Sequence, residues 1–326
     1  MSRELIKKTG LGEKLSMDET YELFTSIMNG ELSEAEIAAV LIAMRLRGET
    51  SDEIAGAAKA MNGAKVKFDA GIKAYDTCGT GGSGKSTMNI SSAVAVLLSA
   101  LGLPVVKHGN RAMSGNIGSA DLYEMAGVPI DADKDAMLEY FKKNDFAFLF
   151  AMLYHPAMKY AGPVRKQIMV PTIFNFLGPL ANPCELAGQI IGLAKKEKLA
   201  DIAEALHKLG RENVAIYNSV DGYDEVSSFA ETEVHIIRKG GIEKMTIKPE
   251  GFFQPFDMPV VKTKDEGLEM FISSISPEGG NLNKLIAINA GLALFVFEKA
   301  GSVKDGYEMA LEAIQSGKVI DKYRSL

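Results

Sequence analysis

Over residues 1–70 the apolar positions recur at helical spacing. Ile37, Val40, Leu41 and Met44 fall at i, i+3, i+4 and i+7, one stripe of an amphipathic helix, and Tyr21, Phe24 and Met28 mark the helix before it. Start signals precede both. Ser16 with Glu19, Ser33 with Glu36 and Thr50 with Glu53 have capping-box spacing, in which a hydroxyl and a carboxylate satisfy backbone N–H groups that a helix start leaves orphaned. Three helices are therefore predicted, with Gly30 and Gly48 standing where a C-cap wants a left-handed residue.

From about residue 72 the pattern changes. Short apolar runs, "KAYDTCG", "PVVKHGN", "DFAFLFA", "AGQIIGLA" and "VAIYN", alternate with helical stretches such as "ISSAVAVLLSALG". Such alternation predicts α/β architecture around a largely parallel sheet. Residues 231–247 read as two β-runs around Gly240 and Gly241, a hairpin, and the tail from Leu285 to about Gly317 is helical again. The predicted organisation is a small all-helical domain over 1–70, with room for part of the later chain to join it, and a larger α/β domain over 71–326 with a mostly parallel central sheet.

Composition narrows the function. With 47% hydrophobic and 24% charged residues the chain has the make-up of a folded globular protein, and its net charge of −6 opposes a broad nucleic-acid surface while leaving room for a local anion pocket. Only Cys78 and Cys184 are present, too few for a thiolate metal cage and in keeping with a reducing compartment. Neither a leader-like apolar segment nor a run of membrane-span length occurs, so a cytoplasmic location without membrane partners is expected.

"GTGGSGKS", Gly79 to Ser86, satisfies the phosphate-binding-loop pattern of nucleotide hydrolases. Its context is poor, since the preceding run is broken by Asp76 and the strands "DFAFLFA" and "AGQIIGLA" do not lead into an acidic residue for magnesium. Glycines there still let backbone amides of Gly79, Gly82 and Ser83 turn around a phosphate. Asn89, Ile90, Ser91 and Ser92 would continue that wall at a helix N-terminus. A glycine turn with Ser91 or Ser92 as N-cap is the alternative. Asp224 and Glu225 in "DGYDEVS" are the best metal candidates. Adjacent carboxylates on a strand would diverge, so a shared ion needs loop geometry, for which Gly222 is suited, and Mg2+ needs only one or two carboxylates plus substrate phosphates.

Taken together, "GTGGSGKSTMNIS", "VVKHGNRAMSGNIGSAD", "HPAMKYAGPVRKQ", "PTIFNFLGPLANP" and "DGYDEVS" resemble the anthranilate phosphoribosyltransferase family in order, spacing and content over nearly the whole chain. The resemblance implies transfer of ribose 5-phosphate from phosphoribosyl pyrophosphate to the amine of anthranilate, with release of pyrophosphate, in tryptophan biosynthesis. It also implies a homodimer formed through the N-terminal helices and Mg2+ as cofactor. Catalysis would rest on positioning and electrostatics, with no certain acid or base. For the donor it adds Thr87, Lys107 and Ser119 to the glycine loop and helix start, and for the metal it adds the Ser91 hydroxyl to Asp224 and Glu225. For the acceptor it implies Arg165 facing the carboxylate, with Gly79, Asn110, His108, His155 and Pro179 around it, Gly178 and Pro179 forming a rigid turn.

Three positions depart from that family's pattern. Ser83 stands for an aspartate, Pro171 for an arginine and Asn218-Ser219 for His-Gly, which puts acceptor identity and metal affinity in question. Lys85 completes the hydrolase pattern by coincidence. The rival readings are a same-fold transferase or nucleoside phosphorylase with another acceptor, and a non-catalytic nucleic-acid-binding paralogue. Retention of Asp224 and Glu225 in an acidic chain opposes the latter.

Overall fold

The computed structural model describes residues 2–81, 84, 85, 87–111 and 118–326. It opens with four helices, α1 (Ser2–Gly10), α2 (Met17–Met28), α3 (Glu34–Arg47) and α4 (Ser51–Ala64). All three predicted capping boxes are formed, each hydroxyl accepting from the third helical N–H and each glutamate accepting from the cap N–H. The stripe Ile37, Val40, Leu41 and Met44 is the buried face of α3. Gly48 has φ 84°, but its ψ of 127° turns the chain outward rather than into a left-handed cap.

Next come β1 (Ala74–Gly79), α5 (Ile90–Ala100), β2 (Val105–Gly109), α6 (Ser119–Met125), α7 (Lys134–Asn144), β3 (Phe146–Phe150), α8 (Ala151–Tyr154), α9 (Met158–Ile168), α10 (Phe174–Leu180) and β4 (Leu186–Gly192). The chain continues through α11 (Leu199–Lys208), β5 (Val214–Ser219), β6 (Thr232–Arg238) and β7 (Gly241–Ile247) to α12 (Lys264–Ile275), α13 (Asn281–Val296), α14 (Val303–Gln315) and α15 (Lys318–Ser325). Seven strands form one sheet in the order β3-β2-β1-β4-β5-β6-β7. β1 to β5 run parallel, and the predicted hairpin supplies the antiparallel β6 and β7.

Strand residues alternate between two cores. Ile190, Ala215 and Tyr217 pack with α5, α7 and the C-terminal helices on one face, whereas Cys78, Ile191, Val214 and Ile216 pack with α11 and the N-terminal helices on the other. Buried residues of α9 and α10 share this second core, so both extend the helical layer. From β1 the chain goes to β2 on one side, and it returns to β4 on the other. Strand order therefore reverses between β1 and β4, where parallel α/β sheets leave a crevice at the carboxyl ends of their strands.

Three local expectations change. Asp76 does not break its strand: it lies inside β1, fully buried, with Oδ2 accepting from Asn182 and Gln189 at 3.0 Å each. α5 is capped at Asn89 rather than at Ser91 or Ser92. Gly178 and Pro179 belong to the short helix α10 instead of a turn.

Candidate active site

The sheet crevice is built by two glycines and a loop. Gly79 ends β1 beside Gly192 at the end of β4, and the turn after β5, residues 220–225, folds over both. A Cβ on Gly192 would lie 1.7 Å from the Asp224 carbonyl oxygen, and one on Gly79 would lie 2.7 Å from Asp224 Oδ2. Neither glycine tolerates a side chain while the loop stays put. Asn218 and Ser219 anchor this loop from below: Asn218 Nδ2 donates to the Leu193 carbonyl at 2.7 Å, and Gly222 N–H donates to the Ser219 carbonyl at 2.8 Å.

Gly222 has φ 85°, a conformation glycine adopts without cost, and the turn brings the Asp224 and Glu225 carboxyls together on one side. Burial, then the neighbouring Asp224, push the Glu225 carboxyl well above the usual range. Thr87 Oγ donates to Glu225 Oε1 at 3.1 Å, while Oε2 is sealed from solvent with no partner. An orphaned carboxylate oxygen beside a second carboxylate is a donor set that a hard cation completes. Among the described residues no three acidic, thiol or imidazole groups converge into a metal cage.

Ser91 has different neighbours. Its carbonyl accepts from Thr77, and its hydroxyl lies 3.3 Å from the Lys107 ammonium. Lys107 itself is 3% exposed, its ammonium donating to the Thr77 carbonyl, so it underlies the start of α5 instead of standing free at the surface of the crevice. The amides of Ile90 and Ser92 are not available to a ligand either. Ile90 N–H turns back to the Met88 carbonyl at 2.7 Å, and Ser92 N–H bonds the Asn89 carbonyl at 3.0 Å. Ser119 opens α6 close to the end of β2, with Oγ 3.0 Å from where a Cβ on Gly109 would stand. Gly82 and Ser83 lie outside the described residues.

The hydrolase pattern fails on geometry. Lys85 is not helical, and the helix begins only at Ile90, whereas a phosphate-binding loop enters its helix at the Lys-Ser pair. Lys85 lies instead over the Tyr223 ring, 4.8 Å from its centroid, against the acidic turn itself.

Alongside the crevice a cavity of about 460 Å³ opens between the sheet and the helical layer. Gly79, His108, Asn110, His155, Arg165 and Pro179 all line it. The Arg165 guanidinium stacks on Phe174, 5.4 Å from the ring centroid, and forms no ion pair with any described residue. His108 and His155 stand ring to ring with centroids 4.9 Å apart. Burial comes first in lowering both, His108 to about 3 and His155 to about 4, helped by the other imidazole for His108 and by Lys65 for both. Each ring also bonds a backbone group, Gly178 for His108 and Ala181 for His155, while both Nε2 atoms are buried and unpartnered. Two neutral imidazoles thus offer acceptor lone pairs to the cavity.

Several further residues line the cavity that sequence reasoning had not named for it, Asp76 and Met61 among them. Asp76 brings an unpartnered buried Oδ1 and a carboxyl raised by its burial. Asn175 and Met61 come from the helical layer, and Met61 had no signal beyond its place in an apolar stripe. Pro171 is not among the residues that line this cavity; it stands in a small adjoining cleft that shares Thr80 and Asn175 with it.

A glycine-built crevice at a strand-order reversal, a buried acidic pair and an adjoining cavity whose guanidinium has no ion pair with any described residue are features that suit group transfer between anionic substrates. Family models agree: residues 71–320 match the a/b domain of a glycosyl transferase family, and residues 3–64 match its helical bundle domain. Relatives are narrower in kind. An anthranilate phosphoribosyltransferase of Geobacillus sp. (strain WCH70) is 41% identical, over 100% of this chain and 97% of that protein. The crystal structure of the Thermus thermophilus anthranilate phosphoribosyltransferase superposes with a TM-score of 0.90 at 35% identity, over 98% of this chain and 97% of that one. The Saccharomyces cerevisiae enzyme in complex with PRPP and Mg does so with a TM-score of 0.85 at 25% identity, over 100% and 98%. This chain belongs to the anthranilate phosphoribosyltransferase family.

Proposed function

We propose that the chain transfers the 5-phosphoribosyl group of phosphoribosyl pyrophosphate to the amine of anthranilate. A bond forms between the amine nitrogen and ribose C1, the bond from C1 to the pyrophosphate oxygen breaks, and one amine proton leaves. The observation that carries this reading is the cavity in which Arg165, with no acidic partner among the described residues, shares the lining with two neutral imidazoles.

A guanidinium without an acidic partner suits a planar carboxylate through two parallel hydrogen bonds. His108 and His155, holding Nε2 lone pairs out of solvent, accept from the amine N–H and orient its nitrogen toward the crevice. Gly79 lines the cavity and also borders the Asp224 loop, so acceptor and donor meet at one backbone position. Two reactants held at such a junction react as if at very high local concentration.

Asp224 and Glu225 would hold Mg2+, which when bound neutralises charge on the departing pyrophosphate. Donor phosphates face the glycine loop, Asn89 and Ser91 at the head of α5, and Ser119 at the head of α6. Lys107 acts through the wall, its buried charge reinforcing the positive end of α5 under the hydroxyl of Ser91.

We also infer a cytoplasmic homodimer. No helix among the described residues is long and apolar enough to cross a membrane, and Leu46 stands 83% exposed on α3, apolar surface that a second copy would cover. The decisive experiment incubates purified protein with phosphoribosyl pyrophosphate, magnesium and a panel of aromatic amines, following loss of anthranilate fluorescence. Turnover of anthranilate ahead of its analogues is the expected result, and absence of turnover with every amine overturns the reading.

A further inference from the structure

The opposite end of the sheet carries a second charged cavity. It has a volume of about 600 Å³ and lies where β1 and β4 begin, lined by Lys65, Lys67, Lys73 and Arg211 against only Asp69 and Glu185. In a chain of net charge −6, that local excess of cations is unusual. Lys73 pairs with Glu185 at 2.7 Å, and Asp69 Oδ1 accepts from Gly71 N–H at 3.0 Å. The other three cations have no ion pair with any described residue. Lys65 Nζ is held by neutral acceptors, Asn62 Oδ1 at 2.6 Å and the Asn182 carbonyl at 2.5 Å. Arg211 reaches only the Leu180 carbonyl, at 3.4 Å.

We propose that this cavity is a binding site for a small oxyanion, a phosphate or a phosphate monoester, gripped by Lys65, Lys67 and Arg211. A helix-capping role accounts for part of the arrangement, since Leu180 ends α10, but it leaves most of the guanidinium donors without acceptors and does not explain Lys67. Electrostatics point the same way. Burial, then Arg211, lowers Lys65 to about 8, with Lys67 adding to it, and burial likewise lowers Arg211. A bound anion relieves Lys65 and Arg211 together. Phe68 and Pro183 contribute an apolar floor wide enough for the organic part of an ester.

The site is wired to the acceptor cavity. Lys65 bonds the Asn182 carbonyl, and Asn182 Nδ2 donates to Asp76, which lines that cavity. Charge placed on Lys65 is therefore felt at Asp76 and at both histidines, whose basicity Lys65 already depresses.

Titration calorimetry with inorganic phosphate tests this, run on the full chain with and without saturating phosphoribosyl pyrophosphate and magnesium, so that phosphate binding at the donor crevice is separated. Wild-type protein should bind one phosphate per chain that the donor does not displace, and Arg211→Gln should weaken that binding by roughly tenfold or more. Lys67→Gln, at an exposed position where misfolding is not a concern, should weaken it several-fold. Donor binding should be unchanged in both. Phenyl phosphate binding tighter than phosphate marks an organic monoester as the ligand, and equal affinity marks the free ion. Displacement of all bound phosphate by the donor, or undiminished binding in both variants, overturns the proposal.

Discussion

The acceptor cavity and the acidic turn lie side by side at the ends of β1 and β4, yet they are prepared in opposite ways. In the cavity the fold has settled each polar group. The histidines are neutral at any physiological pH, each with one ring nitrogen bonded to backbone and the other free, and Arg165 is steadied by Phe174. At the turn nothing is settled: Asp224 and Glu225 crowd each other, and Glu225 Oε2 is buried without a partner. On the proposed function, the first region is preorganised for a neutral amine and a carboxylate. In the second, burial and Asp224 oppose ionisation of Glu225, a penalty that a cation offsets, so ligand rather than fold completes it.

The largest effect should break that contrast at the turn. Glu225→Gln is expected to reduce magnesium-dependent turnover by about a hundredfold or more, since a metal-held charge contributes several kcal/mol to such transition states. The same change should raise the melting temperature of the metal-free protein, because an amide removes a carboxyl whose ionisation burial and Asp224 oppose. A variant that loses both activity and stability would mean that Glu225 serves the fold instead.

On the cavity side, Arg165→Ala should raise the anthranilate Michaelis constant tenfold to a hundredfold, on the order of 1.5–3 kcal/mol for a charge-assisted pair. The value for phosphoribosyl pyrophosphate should stay within a few-fold. Arg165→Lys should rescue only in part, because a point charge does not reproduce the fork. Equal defects for both substrates would erase the distinction between the two regions.

Acid sharpens the same distinction. His155 falls from an ordinary 6.5 to about 4 on folding, so between those values the unfolded chain binds more protons than the native one. Stability contributed by the neutral ring is therefore fully present above pH ~6.5 and is lost as pH falls toward 4, by about 3 kcal/mol for this group. Urea unfolding at a series of pH values should show that slope in wild type and a shallower one in His155→Asn.

Lys85→Ala should have the smallest effect. A surface cation over Tyr223 contributes about 0.5–1 kcal/mol, hence at most a few-fold in donor affinity. Abolished turnover with an intact fold would restore the hydrolase-like role that its position in the pattern suggested.

What could be read directly in the chain was whatever local chemistry enforces. A Ser or Thr three residues ahead of a glutamate satisfies its own helix start, so three boxes marked three helices. Period-2 and uninterrupted apolar runs marked the strands, and a Gly-Gly pair marked the hairpin. The residues that line the acceptor cavity were named through the family resemblance of their motifs; of them only Gly79, His108 and Asn110 stand at strand ends, while Arg165 and Pro179 sit on helices α9 and α10. Whether they bind anthranilate is for the kinetics above.

Other features exist only through contacts distant in sequence. Asp76 looked like a strand breaker, but Asn182 and Gln189, over a hundred residues later, provide the donors that let a carboxyl sit inside β1. Lys107, which the resemblance put on the donor, lies within β2 and is buried beneath α5. The glycine pattern was ambiguous for a related reason: spacing specifies that a backbone turns, whereas the point at which the next helix begins depends on what packs against it. Nor can any run of letters say which imidazole nitrogen is bonded. Sequence determines where chains turn and which faces are apolar, since those follow from neighbours a few residues apart. Protonation, burial and the meeting of charges are decided in the tertiary structure, because desolvation and Coulomb energy depend on distance in space alone.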